Sequence, residues 1–281
     1  MSTLIPYATP EHAPFILEGG PDVALLVHGF MGSPAEMRPL AGQLHAAGWT
    51  VHVLALPGFG QDLAQLRHVT HRNWIDAVGG RLSKLRASSR RLLLVGNSLG
   101  AAVSVTALSE LQRGGLSPTR PADGAVFVAP FWRIDSWLDN LLPAAMMLFR
   151  QIRPFARANL DVPRTRDGIH QFLPAIDLDD PQVRQELREL KMPTTVLGHV
   201  RRAGQLGFQA IHSVETPLLV VQGSSDVLVR PHRTQRLVNR HPGVHRYIEV
   251  ESDHELIWGN APGWPQAVAA VLAFAGEVEP T

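Results

Sequence analysis

The hexapeptide VGNSLG at Val95–Gly100 continues the apolar run Leu92–Val95 and leads into a stretch of small, helix-forming residues. A serine between a buried strand and a helix is forced into a tight turn, and Gly96 and Gly100 let strand and helix approach closely. The pattern predicts a nucleophile elbow that exposes the hydroxyl of Ser98 in a cleft. A G-x-S-x-G string also occurs by chance, so the rest of the chain has to supply the partners of the serine.

Strand and helix patterns alternate around this elbow. Continuous apolar runs, which are typical of strands covered on both faces, occur at Val23–Val27, Val51–Leu56, Leu92–Val95, Ala125–Ala129 and Leu218–Val221. Helical patterns lie between them at Pro34–Ala47, Trp74–Ala87 and Leu99–Arg113. The sequence therefore predicts an α/β fold with a doubly wound, mostly parallel sheet.

The alternation stops after Pro130 for roughly eighty residues, too long a stretch for a bare loop in a compact domain. We predict an inserted cap at residues 131–212 and a core formed by residues 1–130 and 213–281. The cap begins with an apolar group that either attaches it to the core or lines a pocket for an acyl chain. The substrate-binding residues predicted from this group are Trp132, Trp137, Leu141 and Met146.

A serine hydroxyl needs a base to take its proton and an acid to orient that base. In chain order the acid should follow the serine and the histidine should come last. Asp226 follows the apolar run Leu218–Val221, and His254 follows a further predicted strand at Val244–Val250. The carboxyl ends of parallel strands collect functional groups, so we predict Ser98 as nucleophile, His254 as base and Asp226 as acid.

Two other carboxylates are weaker candidates for the acid. Asp253 is adjacent to His254 in sequence, which makes it hard for its carboxylate to reach Nδ1 of that histidine. Glu251 is weaker still.

The oxyanion formed in acyl transfer needs two donors fixed in advance. One should be the backbone N–H of Leu99, at the start of the helix. The other should be the N–H of Phe30, because Gly29 lets the loop after the first buried strand turn inward. We interpret His28 as a brace for this loop rather than as a second base.

Composition excludes several other classes of protein. A formal net charge of +1 over 281 residues gives no reason to expect nucleic acid or an anionic membrane as a partner. The absence of cysteine excludes disulfides and a cysteine nucleophile. No apolar run approaches the roughly twenty residues of a membrane span, and the first residues lack a signal peptide pattern. We therefore expect a cytoplasmic protein.

Four motifs together resemble the α/β-hydrolase superfamily: HGFMGSP at His28–Pro34, GNSLG at Gly96–Gly100, QGSSD at Gln222–Asp226 and SDH at Ser252–His254. The match runs from about Val23 to Phe274 and excludes the cap. Within that superfamily, the first motif and the short cap are similar to bacterial carboxylesterases and monoacylglycerol lipases. The resemblance implies ester hydrolysis through the predicted triad and oxyanion hole, on a small-molecule ester and without a cofactor or metal.

The motifs leave the reaction open among several that share one triad. Cleavage of esters with short- to medium-chain acyl groups is the first expectation, because the start of the cap is apolar. Thioester hydrolysis, carbon–carbon bond hydrolysis and acyl transfer to an alcohol are alternatives. A non-catalytic receptor for small molecules on the same fold is a further one, although a pure binder has no physical need for the complete set of groups.

Overall fold

The computed structural model describes residue 7 and residues 9–114, 120–132, 150–172 and 176–280. Its strands are β1 Phe15–Leu17, β2 Val23–Val27, β3 Thr50–Leu54, β4 Leu92–Asn97, β5 Gly124–Val128, β6 Gln151–Ile152, β7 Met192–Pro193, β8 Leu218–Gly223 and β9 His245–Val250. Its α-helices are α1 Arg38–Ala46, α2 His71–Arg86, α3 Leu99–Arg113, α4 Pro163–Phe172, α5 Pro181–Glu189, α6 Thr194–Ala210, α7 Pro231–Val238 and α8 Trp264–Glu277. The 3₁₀ helices in the described residues are Pro10–His12, Pro34–Met37, Gly60–His68 and Ile211–Ser213.

Seven strands form one sheet in the order β1-β3-β2-β4-β5-β8-β9. All neighbouring pairs are parallel except β1 and β3, which run antiparallel. The register places the last residues of neighbouring strands side by side, with Asn97 opposite Val128 and Gly223 opposite Val250. The predicted mostly parallel sheet is confirmed, and the loops after β4, β8 and β9 leave it at one edge.

Helices cover both faces of this sheet. Alternate residues of β2 belong to different hydrophobic clusters: Leu25 packs with residues of α2 and α3, whereas Leu26 packs with residues of α1 and α8. Every residue of β2, β4, β5 and β8 is buried. Burial on both faces explains why these strands are continuous apolar runs.

Local signals set where two helices begin. The amide and hydroxyl of Thr70 both donate to Oδ1 of Asn73 before α2, at 2.9 and 2.8 Å. Asp180 accepts from the amide of Gln182 at 2.7 Å before α5, and Pro181 occupies the first helical position. Both arrangements satisfy or avoid amides that lack an intrahelical partner.

The structure differs from the sequence-based expectation in the bounds of several elements, and two of these differences have a clear physical reason. The short strand β1 was not predicted, because it has three residues at the sheet edge and only partial burial. The helix predicted over Pro34–Ala47 is divided into a 3₁₀ turn at Pro34–Met37 and the helix α1.

The described residues between β5 and β8 form structure outside the seven-stranded sheet. Some of them have a hydrophobic cluster of their own, built from Leu160, Ile169, Ile176, Leu178 and Leu187 together with Tyr7. Helix α6 instead lies against α3, where a Cβ at Gly207 would come within 2.9 Å of Cα of Ala102. In the described part of the chain, no helix is both long and apolar enough to span a bilayer.

Gly96 and Gly100 allow the close approach at the elbow. A Cβ at Gly96 would lie 2.7 Å from the backbone of Ala101 at the start of α3. A Cβ at Gly100 would lie 2.3 Å from the carbonyl oxygen of Val27 and 2.6 Å from that of His28. Only residues without a side chain fit at these two positions, because every one of these neighbours is backbone.

Gly100→Ala is expected to lower the free energy of unfolding by about 3 kcal/mol, since the added methyl meets main chain that cannot rotate away. Gly42→Ala in α1 is the matched control, because its added methyl has no neighbour within 4 Å. That control should gain roughly 0.5–1 kcal/mol from the better helix propensity of alanine. Urea unfolding of both variants measures the difference, and equal stabilities would contradict the packing argument.

Candidate active site

Ser98 lies between β4 and α3 in a backbone conformation that L-residues rarely adopt, with φ of 48° and ψ of −112°. Hydrogen bonds on both sides hold it there. Its amide donates to the carbonyl oxygen of Val128 at 3.0 Å, and its carbonyl accepts from the amide of Phe131 at 3.1 Å. The turn is therefore fixed by the neighbouring strand β5 and the residues that follow it.

His254 faces this serine from the loop after β9. Its Nε2 lies 2.9 Å from Oγ of Ser98. Gly223 makes room for the loop, because a Cβ there would lie 2.1 Å from the carbonyl oxygen of Asp253. A hydroxyl and an imidazole in this position can exchange a proton directly.

Asp226 contacts the other nitrogen of the same ring, with Oδ2 lying 2.7 Å from Nδ1 of His254. It is 3% exposed, and its remaining acceptor positions are used. Gln222 Nε2 donates to Oδ2 at 2.6 Å, and the amides of Leu228 and Val229 each donate to Oδ1 at 2.9 Å. Because an ionised carboxylate only accepts, Nδ1 of His254 carries the proton and the lone pair of Nε2 faces Ser98.

Asp253 and Glu251, the two weaker candidates for the acid, lie elsewhere in the loop before His254. Asp253 accepts from the amide of Glu255 at 2.9 Å within its own turn. Glu251 is exposed at the end of β9. The geometry thus favours Asp226 as the partner of His254.

The loop after β2 brings Phe30 to the same place. Phe30 and Leu99 both line the cavity that contains Ser98 and His254. The loop packs tightly on the elbow, since a Cβ at Gly29 would lie 3.2 Å from Cβ of Ser98. Both backbone segments predicted to supply amides therefore border the space next to the serine hydroxyl.

His28 is buried behind this loop. The amide of Leu56 donates to its Nε2 at 3.0 Å, so Nδ1 carries the ring proton and donates to the carbonyl oxygen of Gly29 at 2.9 Å. Burial lowers the pKa of His28 to about 4, so the ring is neutral near pH 7. These contacts fit the interpretation of His28 as a brace.

Glu36 is a buried carboxyl group beside the site that sequence reasoning missed. It lies in the 3₁₀ turn Pro34–Met37 and is 3% exposed. Its Oε1 accepts from the amide of Gly29 at 2.5 Å and from Nδ2 of Asn97 at 3.0 Å. Burial raises the pKa of Glu36 to about 7, although these two hydrogen bonds and the attraction of His254 oppose the change.

A cavity of about 410 Å³ adjoins Ser98 and is lined mainly by apolar side chains. Those from the predicted cap or its junction are Phe131, Phe155, Leu197 and Val200, and those from the core include Leu228, Ile257 and Trp258. A pocket of this size and character suits an organic ligand with an apolar chain.

The predicted substrate-binding residues have different outcomes. Trp132 is buried against Phe127 and is not among the described residues that line the cavity beside Ser98; it borders a neighbouring pocket with Arg201 and Phe208. Trp137, Leu141 and Met146 lie outside the described residues. The role of all four in binding stays a prediction.

Sequence signals existed for some of the missed lining residues. Leu197 and Val200 are three positions apart on α6 and so share a helix face. Ile257 and Trp258 follow His254 within four residues and therefore stay near it. No comparable pattern marked Phe155. Among the described residues, no group of three or more metal-ligating side chains could hold a metal ion.

Comparison with known proteins finds a matching family and two similar bacterial proteins. The sequence model of the Hydrolase_4 family, described as serine aminopeptidase, S33, matches residues 22–257. A thermostable monoacylglycerol lipase from Bacillus sp. (strain H-257) is 35% identical over 92 residues, which is 33% of this chain and 37% of that protein. A carboxylesterase from Bacillus subtilis (strain 168) is 32% identical over 98 residues, or 34% of this chain and 39% of that protein. The chain thus matches less than two fifths of either relative's length.

The fold has solved counterparts. A structure of the metagenome-derived lipolytic enzymes LipS and LipT superimposes with a TM-score of 0.73 at 21% identity, covering 95% of this chain and 98% of that one. Together with the mostly parallel seven-stranded sheet, this likeness shows an α/β-hydrolase fold.

The stability of the protein should depend on pH through Glu36. Its pKa rises from 4.5 to about 7 on folding, so the folded state holds this proton more tightly than the unfolded state. The proton on Glu36 therefore contributes roughly 3 kcal/mol to the free energy of unfolding below about pH 4.5. This contribution is lost as the pH rises to about 7. Urea unfolding at several pH values should show this loss in the parent protein and not in Glu36→Gln.

The exposed Glu279 supplies the control for that experiment. Glu279→Gln should keep the pH dependence of the parent. A Glu36→Gln variant that loses stability with rising pH as the parent does would show that Glu36 ionises normally in the folded state.

Proposed function

Since the chain belongs to the Hydrolase_4 family of the serine aminopeptidase S33 type, we propose that it is a serine hydrolase that cleaves carboxylic esters with short- to medium-chain acyl groups. The observation that carries the proposal is the hydrogen-bonded series Ser98, His254 and Asp226 beside an apolar cavity. The curated relatives named as a monoacylglycerol lipase and a carboxylesterase support the same substrate class.

The reaction would proceed in two steps. Oγ of Ser98 attacks the ester carbonyl carbon while its proton passes to Nε2 of His254, and the alcohol then leaves with that proton. Water then attacks the acyl carbon and gives a proton to His254. The bond between the acyl carbon and Oγ of Ser98 breaks, His254 returns this proton to Oγ, and the carboxylic acid is released. Asp226 keeps the ring oriented and stabilises its protonated form.

The negative oxygen of each tetrahedral intermediate would bind the backbone N–H groups of Phe30 and Leu99. The amide of Leu99 lies at the first position of α3, where the helix dipole favours negative charge. Both amides are main-chain groups, so their positions depend on the loops that carry them rather than on side-chain rotamers.

The acyl chain would occupy the apolar cavity. Leu197 and Val200 from α6 form one part of its wall, and Leu228 and Ile257 from the core form another. We include in the proposal that residues 131–212 form a cap over a core of residues 1–130 and 213–281. In this arrangement the cap selects the acyl group while the core performs the chemistry.

Ser98→Ala and His254→Ala are each expected to lower kcat by about 10⁶-fold, as in well-studied serine hydrolase triads. Asp226→Asn should cost about 10⁴-fold, because the amide favours the wrong imidazole tautomer. Hydrolysis of p-nitrophenyl butyrate measures each loss.

Asp253→Asn is the matched control for the acid, since it makes the same substitution next to His254 and should leave kcat within a few-fold of the parent. If Asp253→Asn is damaging and Asp226→Asn is nearly silent, the acid is wrongly assigned. A parent protein that cleaves aminoacyl p-nitroanilides but no esters would replace esterase by amidase activity. Poor labelling by a fluorophosphonate probe would favour the receptor alternative.

Filling the cavity should shorten the preferred acyl chain. Leu197→Trp adds a large ring to the wall of the cavity, so kcat/KM should fall by about tenfold or more for octanoyl esters and by much less for acetyl esters. Thr195→Trp is the control, because residue 195 is exposed on the same helix. Equal losses on all chain lengths for Leu197→Trp would place the acyl chain elsewhere.

A further inference from the structure

Glu36 has no part in the proton transfers between Ser98, His254 and Asp226, yet it is a buried carboxyl group on the same cavity. One of its oxygens, Oε1, accepts two hydrogen bonds at once, from the amide of Gly29 and from the side chain of Asn97. A buried carboxyl group costs free energy unless its hydrogen bonds are satisfied, so these contacts bind the three residues into one unit.

The two donors belong to different parts of the fold. Gly29 precedes Phe30 in the loop after β2, and Asn97 is the last residue of β4, two positions before Leu99. A single carboxyl oxygen thus connects the two segments whose amides would form the oxyanion hole. The brace provided by His28 fixes the Gly29 carbonyl within one of these segments, whereas Glu36 fixes the distance between them.

We propose that Glu36 is a positioning residue for the oxyanion hole, which holds the loop at Gly29 against Asn97 so that the amides of Phe30 and Leu99 converge on one point. This inference rests on the proposed function, because it assumes that a negative oxygen develops next to Ser98. Small displacements of such donors weaken transition-state stabilisation without removing the substrate pocket.

The surrounding backbone is shaped for this carboxyl group. A Cβ at Gly32 would lie 1.8 Å from Oε2 of Glu36 and 2.6 Å from its Cδ. The carboxyl group therefore occupies space that any other residue at position 32 would fill. The 3₁₀ turn that carries Glu36 is itself capped by Ser33, whose Oγ accepts from the amide of Ala35 at 3.2 Å. Position and orientation of the carboxyl group are both restricted.

The test separates the hydrogen-bond acceptor from the ionisable group. Glu36→Gln keeps an acceptor oxygen at the same reach but cannot ionise, whereas Glu36→Asp keeps an ionisable carboxyl group but withdraws the oxygen by one methylene. With p-nitrophenyl butyrate, we expect kcat to fall by about 10²-fold in Glu36→Asp and Glu36→Ala, the loss typical of one oxyanion donor. Glu36→Gln should stay within about fivefold of the parent, and KM should change by less than about threefold in all variants.

Gly32→Ala provides a second route to the same displacement if Glu36→Ala fails to fold. Its methyl group should push the carboxyl group away while leaving residue 36 unchanged, so kcat should again fall with little change in KM. The proposal is overturned if Glu36→Gln is as impaired as Glu36→Asp, if Glu36→Asp and Gly32→Ala both keep full kcat, or if KM rises while kcat is unchanged.

Failure of this inference can be told apart from failure of the proposed function. If the parent hydrolyses esters and Ser98→Ala does not, but Glu36→Asp equals the parent, only the role of Glu36 is refuted. If the parent hydrolyses no ester, the proposed function is refuted, and the rate of fluorophosphonate labelling at Ser98 replaces kcat as the readout. The same order of variants, with Glu36→Gln near the parent and Glu36→Asp slow, is then expected for labelling.

Discussion

The strained backbone at Ser98 is the constraint on which the rest of the site depends. A positive φ at a serine persists only where the surroundings fix it. Here Val128 in β5 accepts a hydrogen bond from the amide of Ser98, and the amide of Phe131 donates one to the carbonyl oxygen of Ser98. Gly96 and Gly100 remove the side chains that would keep β4 and α3 apart. The buried parallel sheet supplies the stability that offsets this local strain.

The sheet also determines which loops meet. Because β4, β8 and β9 run parallel and in register, the residues after their carboxyl ends emerge at one edge, and Ser98, Asp226 and His254 come together although the chain separates them widely. Each side chain then needs only a short loop to reach its partner. Two backbone amides and Gln222 hold the buried carboxylate of Asp226. Asp226 in turn holds the ring of His254, and that ring contacts Ser98.

The central strands of the sheet could be predicted from the sequence, because strands that are buried on both faces consist of continuous apolar runs. The limits of β2 and α3 were predicted to the residue. The strand β1 was not predicted, because a three-residue edge strand has too few buried residues to show a pattern. The places of Ser98, Asp226 and His254 after predicted strands allowed their prediction as site residues. Phe155 and Glu36 were not predicted, because their positions depend on packing between segments that are distant in sequence.

Glu36 illustrates a kind of residue that sequence patterns hide. A glutamate two residues after a proline in a predicted helix is ordinarily an exposed first-turn acid that interacts with the helix dipole. Here the 3₁₀ turn rotates it inward, where the amide of Gly29 and the side chain of Asn97 replace the water it has lost. The neutral ring of His28 lies on the same loop, so the main chain between His28 and Glu36 is held by two buried ionisable side chains, of which the imidazole is uncharged near pH 7. A loop held in this way can present an amide to a developing negative charge without reorganising during the reaction.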